Sequence, residues 1–260
     1  MNIIDTHCHL NFKSFKSDYL KVAKKSFENG VIGVIIVGSD SKTSTQALEV
    51  AKEINMHLKQ CWAYFSAGIH PIHFKDAENF SVIEELSSHE LAVAIGETGF
   101  DFHHLEKTCF DQQWDLLKLH SNLAKKVDLP LILHSRNADE EFLEILDKID
   151  SRGVFHCFSS DYKFADKLIK SGFFISFTGS ITYGNKKLKK VIKKLPSDRI
   201  MIETDAPYIV PEPLRSEGVK RSEPYMAIET AKKIAIERGV DLSEILSQTT
   251  ENAIRFFDLT

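Results

Sequence analysis

The sequence predicts an α/β fold, a single (β/α)8 TIM barrel over residues 1–260 with a metal site at the C-terminal ends of its strands. Three observations lead there. Short β-branched and aliphatic runs alternate with segments of helical spacing, and the alternation repeats eight times. The chain is 260 residues long, an ordinary length for one closed barrel. Histidines and carboxylates collect just after the apolar runs, where a barrel builds its site.

The elements follow in order. A first strand is expected at 3–6 and a helix at 18–29, then a strand at 31–37 and a helix at 43–55. The third strand, 62–69, precedes a helix at 80–89, and the fourth, 91–96, precedes the clearest amphipathic segment, 107–126. In that segment Phe110, Trp114, Leu117 and Leu123 form one stripe. Strands at 131–134, 154–157, 173–177 and 200–204 are interleaved with helices at 140–149, 162–171 and 186–194. Helices at 225–238 and 242–257 end the chain. Strict alternation implies parallel strands joined by right-handed crossovers. An open doubly wound sheet would carry a glycine-rich nucleotide loop after its first strand, and this sequence has none.

Composition narrows the class. With 43% hydrophobic and 27% charged residues the chain can bury a full-sized core. No apolar stretch approaches the roughly 20 residues that span a bilayer, and no basic region followed by an apolar run opens the chain. Cys8, Cys61, Cys109 and Cys157 form no CxxC pair. A reduced, cytoplasmic setting without a membrane or an obligate protein partner is the expectation. The net charge of −4 excludes a generally basic nucleic-acid coat, but metal ions in a cleft could supply positive charge locally.

The strand ends carry the chemistry. The first closes on Asp5-Thr6-His7-Cys8-His9, the third on Gly68-Ile69-His70-Pro71 and the fourth on Gly96-Glu97-Thr98-Gly99. The fifth gives His134-Ser135-Arg136, the sixth His156-Cys157-Phe158 and the eighth Glu203-Thr204-Asp205. The two-residue period of a strand puts positions 3, 5, 7 and 9 on one face, Val93 and Ile95 with Glu97, and Met201 and Glu203 with Asp205. His134 continues the row of Ile132, and His156 that of Val154. Imidazole and carboxylate suit zinc, manganese or magnesium, and four histidines with two carboxylates can hold two ions if one carboxylate bridges. Two such ions suit displacement at phosphorus by an activated water.

The ordered motifs DTHCHL, GIHP, IGETGFDFH, LPLILHSR, GVFHCFS and ETDAPY resemble those of the TatD family of metal-dependent deoxyribonucleases, from residue 4 to the TEN at 250–252. The resemblance implies one metal on His7, His9, Glu97 and Asp205. It implies a second on Glu97, as the bridge, with His134 and His156. Asp205 would also act as general base, and the activity would be removal of nucleotides from DNA ends, with RNA as an alternative substrate. Two positions depart from the family pattern. Asn11 stands where Asp is common, and Ser222-Glu223-Pro224 replaces NEP.

Other residues are weighed by their surroundings. Asp5 and Glu203 are expected to orient an imidazole or a metal water. His70 and Arg136 are candidates for substrate phosphate, against a loop-stiffening role for the first and an ion pair with a barrel carboxylate for the second. The lysines at 186, 187, 189, 190, 193 and 194 read as the solvated face of an amphipathic helix rather than a DNA track. Phe12, Phe15, Phe100 and Phe102 could stack on bases or pack beneath loops. Cys8 and Cys157 should point outward as buried thiols, and His57, His89, His103, His104 and His120 receive no role. The rival functions are a same-fold hydrolase of another ester or amide, aminoacyl-tRNA or a small ester among them, and a non-catalytic nucleic-acid-binding barrel. No inward lysine is present to be modified as a metal bridge, and the ligand ring is intact; both favour the phosphodiesterase.

Overall fold

The computed structural model describes residues 2–259. Strands β1 (Ile3–Cys8), β2 (Val31–Val37), β3 (Ala63–Ala67), β4 (Ala92–Asp101), β5 (Leu131–Arg136), β6 (Gly153–Phe155), β7 (Phe174–Phe177) and β8 (Ile200–Ile202) pair in chain order, all parallel. The eighth returns to the first. Cys8 bridges to Ala206, His9 N–H donates to Ala206 O at 2.7 Å, and Asp205 N–H donates to His7 O at 2.9 Å. The closing hydrogen bonds are thus made by the same residues that carry the candidate ligands.

Helices α1 (Tyr19–Glu28), α2 (Ser41–Leu58), α3 (Phe80–Leu86), α4 (Phe110–Val127), α5 (Asp139–Ile145), α6 (Tyr162–Lys170), α7 (Lys186–Lys194) and α8 (Ala227–Arg238) are the crossovers between strands and the segment that follows β8. Their starts are set by local chemistry. Asp40 caps α2 by accepting from Thr43 N–H at 2.6 Å while Thr43 Oγ1 accepts from Asp40 N–H at 2.9 Å, so the helix begins two residues before the expected start. The expected 140–149 helix instead breaks after Ile145 into a 3-10 turn, Leu146–Lys148. No helix among the described residues is long and apolar enough to cross a membrane.

Two apolar layers separate cleanly. Cys8, Val34, Ile36, Ile95, Leu131 and Leu133 belong to the layer between strands and helices. Ile4, Ile35, Val37, Tyr64, Val93, Ile132, Val154, Phe174 and Met201 fill the barrel interior. From below, α9 (Leu242–Phe257) plugs that interior with Ala253, Phe256 and Phe257, Phe256 lying 4.7 Å from the Phe174 ring. Full burial of each of the two phenylalanine side chains contributes about 1.5–3 kcal/mol. The filled floor leaves only the upper mouth open to polar chemistry.

Simple alternation fails in two strands. In β1 the register shifts twice, placing Ile3 in the outer layer and Ile4 in the inner one, so positions 3, 5, 7 and 9 do not share a face. In β4 Phe65 and Ser66 pair with Ala92 and Ala94, and Leu131 and Leu133 pair with Ile95 and Thr98. Each shift inserts one extra residue, which re-aims the side chains beyond it. Val93 and Ala94 therefore both point inward and Ile95 outward, correcting the expected row of Val93, Ile95 and Glu97.

His120, given no role from sequence, is fully buried on α4. Its Nδ1–H donates to Leu116 O at 2.8 Å, and Nε2 accepts from Ile69 N–H at 3.0 Å. Burial lowers its pKa to about 4. Between that value and the unfolded value of about 6.5 the unfolded chain binds the extra proton, so the stability is present above pH 6.5 and lost as pH falls toward 4. Urea unfolding at pH 5 should show about 2 kcal/mol less stability than at pH 7.5 from this residue. A His120→Gln variant should show a correspondingly smaller pH difference; an unchanged difference would refute the assignment.

Candidate metal centre

Six side chains converge above the apolar interior. Glu97, from the second bulge of β4, stands between two groups of imidazoles. Its Oε1 lies 2.7 Å from both His134 Nδ1 and His156 Nε2, and its Oε2 lies 3.5 Å from His7 Nε2. His7 Nε2 is 3.2 Å from His9 Nε2 and 3.8 Å from Asp205 Oδ1, which is 3.5 Å from His9 Nε2. Three overlapping sets, His7/His9/Glu97, His7/His156/Asp205 and His70/Glu97/His134, each keep their ligand atoms within 4.8 Å of one another. The structure thus brings His7, His9, Glu97, His134, His156 and Asp205 to one level.

The partners behind His9, His134 and His70 fix which nitrogen of each is free, whereas His7 Nδ1 has no hydrogen-bond partner among the described residues. His9 Nδ1–H donates to Val37 O at 3.0 Å, leaving the Nε2 lone pair toward the centre. His134 Nε2–H donates to Asp101 Oδ2 at 3.2 Å, leaving Nδ1 toward Glu97. His156 Nδ1 lies 3.4 Å from Glu203 Oε1, the atom that accepts from Cys157 N–H at 2.6 Å. His70 is wired the other way. Its Nδ1 accepts from Ile72 N–H at 3.2 Å, so the neutral ring carries its proton on Nε2, 3.5 Å from Glu97 Oε1. That proton makes His70 a donor into the site rather than a ligand.

Close approach of strands makes the cluster possible. Gly96 and Gly99 both have φ +139°, and a Cβ on them would lie 2.6 Å from Ile132 O and 2.1 Å from His134 O. Only glycine lets β4 press against β5 there. On the opposite side Asp205 takes a left-handed conformation, φ 55°, held by its closing hydrogen bond to His7 O.

The electrostatics suit a cation. Burial pushes the Glu97 carboxyl up, but its neighbouring imidazoles, His156 above all, outweigh it and hold Glu97 well below the ordinary range. Asp205 is treated alike: burial raises it, and His9 and His7 bring it below its usual value. Conversely, burial lowers His156 while Glu97 and Glu203 raise it more strongly. Ionised carboxylates buried among imidazoles form a donor set fitted to divalent metal.

The remaining expectations divide. Asp5 touches no imidazole. It accepts from His7 N–H, Thr204 N–H and Thr204 Oγ1, at 3.3, 2.8 and 2.5 Å, and so fixes the joint between the first and last strands. Burial pushes its carboxyl up to about 8 against the lowering effect of Thr204. Arg136 stands exposed on the cleft rim with no ion pair among the described residues, so it does not engage a barrel carboxylate. Phe15 and Phe100 are fully buried and Phe102 packs against the core; Phe12 alone of the four lines the cleft. Cys157 also lines the cleft, correcting its expected outward direction. β6 ends at Phe155, and φ 45° at Cys157 turns it inward. On the α7 lysine face, Lys189 pairs with Glu237, and Lys190 and Lys194 cover Tyr162.

Sequence reading missed Asp101. Fully buried, it accepts from His134 Nε2–H and, at 2.8 Å, from His104 Nδ1–H. Its signal was the step of two from Glu97 through Gly99. His104, given no role, is its second partner. Asn11 explains itself as an amide: Nδ2 donates to Val37 O at 3.2 Å and Thr43 O at 2.9 Å, which a carboxylate could not do. Ser222 donates its N–H to Pro207 O, and Glu223 pairs with Lys25 and Arg221 outside the centre.

Comparison with known proteins agrees with the geometry. Residues 4–258 match the family described as TatD related DNase. The chain is 38% identical over 261 residues to the uncharacterized metal-dependent hydrolase YabD of Bacillus subtilis, covering 98% of each. It is 33% identical to the 3'-5' ssDNA/RNA exonuclease TatD of Erwinia tasmaniensis, over 99% of this chain and 100% of that one. The crystal structure of YJJV, a TatD homolog from Escherichia coli K12, superposes with a TM-score of 0.89 at 26% identity, covering 99% and 98% of the two chains.

Asp101→Asn should leave the fold intact but free the His134 ring. Calorimetric titration with zinc or manganese is predicted to show an affinity about 10–100-fold weaker than wild type; equal affinities would remove the orienting role.

Proposed function

This chain belongs to the family of TatD-related DNases and is a metal-dependent hydrolase, and from that premise we propose that it trims the ends of single-stranded DNA, with RNA as a second substrate, by hydrolysis at a two-metal centre. The carrying observation is the division of Glu97. One oxygen faces His134 and His156 and the other faces His7, the arrangement of a carboxylate shared by two ions. His7, His9 and Asp205 would complete one ligand set, His134 and His156 the other.

Ions held there would acidify a water and neutralise charge on phosphate oxygens. The chain's own groups supply the rest. Asp205 Oδ1 faces His7 and His9, while Oδ2 has no hydrogen bond or ion pair with any described residue, so Oδ2 is the atom that receives the proton of the attacking water. His70, whose pKa burial lowers to about 3, stays neutral and offers Nε2–H to a phosphate oxygen. Arg136 offers its unpaired guanidinium from the rim. The cleft, about 660 Å³, also exposes Phe12 and Tyr208 as apolar walls for a base. Support for the substrate comes from relatives named as ssDNA/RNA exonucleases.

Metal-stripped protein should leave end-labelled single-stranded DNA intact, and adding back magnesium, manganese or zinc should restore shortening from the 3′ end. Asp205→Asn should lower the rate about 10²–10⁴-fold even with metal added to saturation, because it removes the base as well as one ligand charge. DNA that survives every metal although the protein binds its ions would overturn the substrate and direct the search to aminoacyl-tRNA and small esters.

A further inference from the structure

The metal cleft has the volume of a site for one small ligand, so a strand of several nucleotides must leave it. At the segment that follows β8 the cleft does not end in open solvent. Tyr208 and Ile209 line the cleft on one side and a second depression on the other, whose remaining wall includes Tyr183, Arg215 and Lys220. Tyr208 is 54% exposed and Tyr183 41%, both large for aromatic rings on a soluble domain.

The depression is built rather than incidental. Tyr183 donates its hydroxyl to Val210 O at 2.7 Å, which fixes the ring. The Arg215 guanidinium lies over that ring, 4.4 Å from its centroid. Neither Arg215 nor Lys220 has a carboxylate partner among the described residues. The nearby Glu212 is occupied, accepting from Ser216 N–H at 3.0 Å and Ser216 Oγ at 2.6 Å. On a chain with net charge −4, this places two unpaired cations beside two presented rings next to the metal cleft. The combination is what single-stranded nucleic acid requires: flat faces for bases, and a planar fork and a point charge for phosphates.

We propose that this depression is a second nucleotide subsite. It holds the single-stranded segment on the far side of the scissile phosphate, with a base over Tyr183 and Arg215 and phosphate against Arg215 and Lys220. Tyr208 is the ridge over which the strand passes between the two sites. The subsite rests on the phosphodiesterase reading, and it adds a length preference to it. A dinucleotide is held by the metal cleft alone, whereas a pentanucleotide spans both sites.

The test compares metal-loaded wild type with Arg215→Ala and Tyr183→Ala on both oligonucleotides. A parallel arm measures fluorescence anisotropy with a pentanucleotide made uncleavable by phosphorothioate linkages. Wild type should prefer the pentanucleotide in kcat/KM, and each variant should reduce that preference about tenfold, through KM, with an equal rise in the Kd of the uncleavable strand. An unchanged preference and an unchanged Kd in both variants would overturn the subsite. If wild type cleaves neither oligonucleotide, the phosphodiesterase reading fails and anisotropy decides the subsite alone: weaker binding by the variants upholds it, and equal binding overturns it.

Discussion

A carboxylate buried among imidazoles is the constraint on which the upper half of the barrel depends. Glu97 cannot sit there as an isolated charge, because its desolvation would cost several kcal/mol. It must be met at hydrogen-bonding distance from both sides. That requirement fixes how tightly β4 packs on β5, which only Gly96 and Gly99 permit, and it fixes the bulge that turns Glu97 inward. It also fixes the joint of the first and last strands, where His7 O and Asp205 N–H are bonded to each other and Asp5 grips Thr204.

Precision at that level is inherited from the layers around it. The interior below is filled with aliphatic and aromatic side chains and sealed by α9, so the strand ends that carry the candidate ligands stand on a close-packed base. Around the rim, backbone groups and one carboxylate choose the tautomer of three rings. Val37 O does so for His9, Asp101 for His134 and Ile72 N–H for His70. Two histidines side by side can therefore do opposite things. His134 turns a lone pair to the centre and His70 turns a proton to it, although both lie against the same oxygen of Glu97.

On the proposed phosphodiesterase reading, a negative chain and an anionic substrate would be reconciled by the same centre. Glu97, Asp101 and Asp205 would repel a phosphodiester from an empty cleft, and cations bound among them reverse that local field. On that reading the protein's own positive charge would have a secondary task, placed beyond the candidate ligands at Arg136, Arg215 and Lys220, where it could guide a backbone without competing for the metal position. The basic face of α7 takes no part in this, since much of it is spent on Glu237 and Tyr162.

By itself the sequence determined the barrel, the order of its strands and the level at which the candidate ligands lie. These follow from short-range patterns: apolar runs of strand length, helical spacing between them, and polar residues placed just past each run. The final helix, 242–257, was legible to the residue for the same reason. What only the tertiary structure decided is where a strand's period breaks and what stands behind each ligand. The bulges that turned Ile95 outward and Glu97 inward depend on register with neighbouring strands. Cys157 was re-aimed by one left-handed residue, and Asp101 gained its role from a ring 33 residues further along the chain. The stack of Arg215 on Tyr183 likewise joins the segments that follow β7 and β8, which meet because those two strands pair side by side. A residue's type and spacing fix what it can do chemically; which partner it meets is a property of strands brought together in space, and no local pattern encodes that.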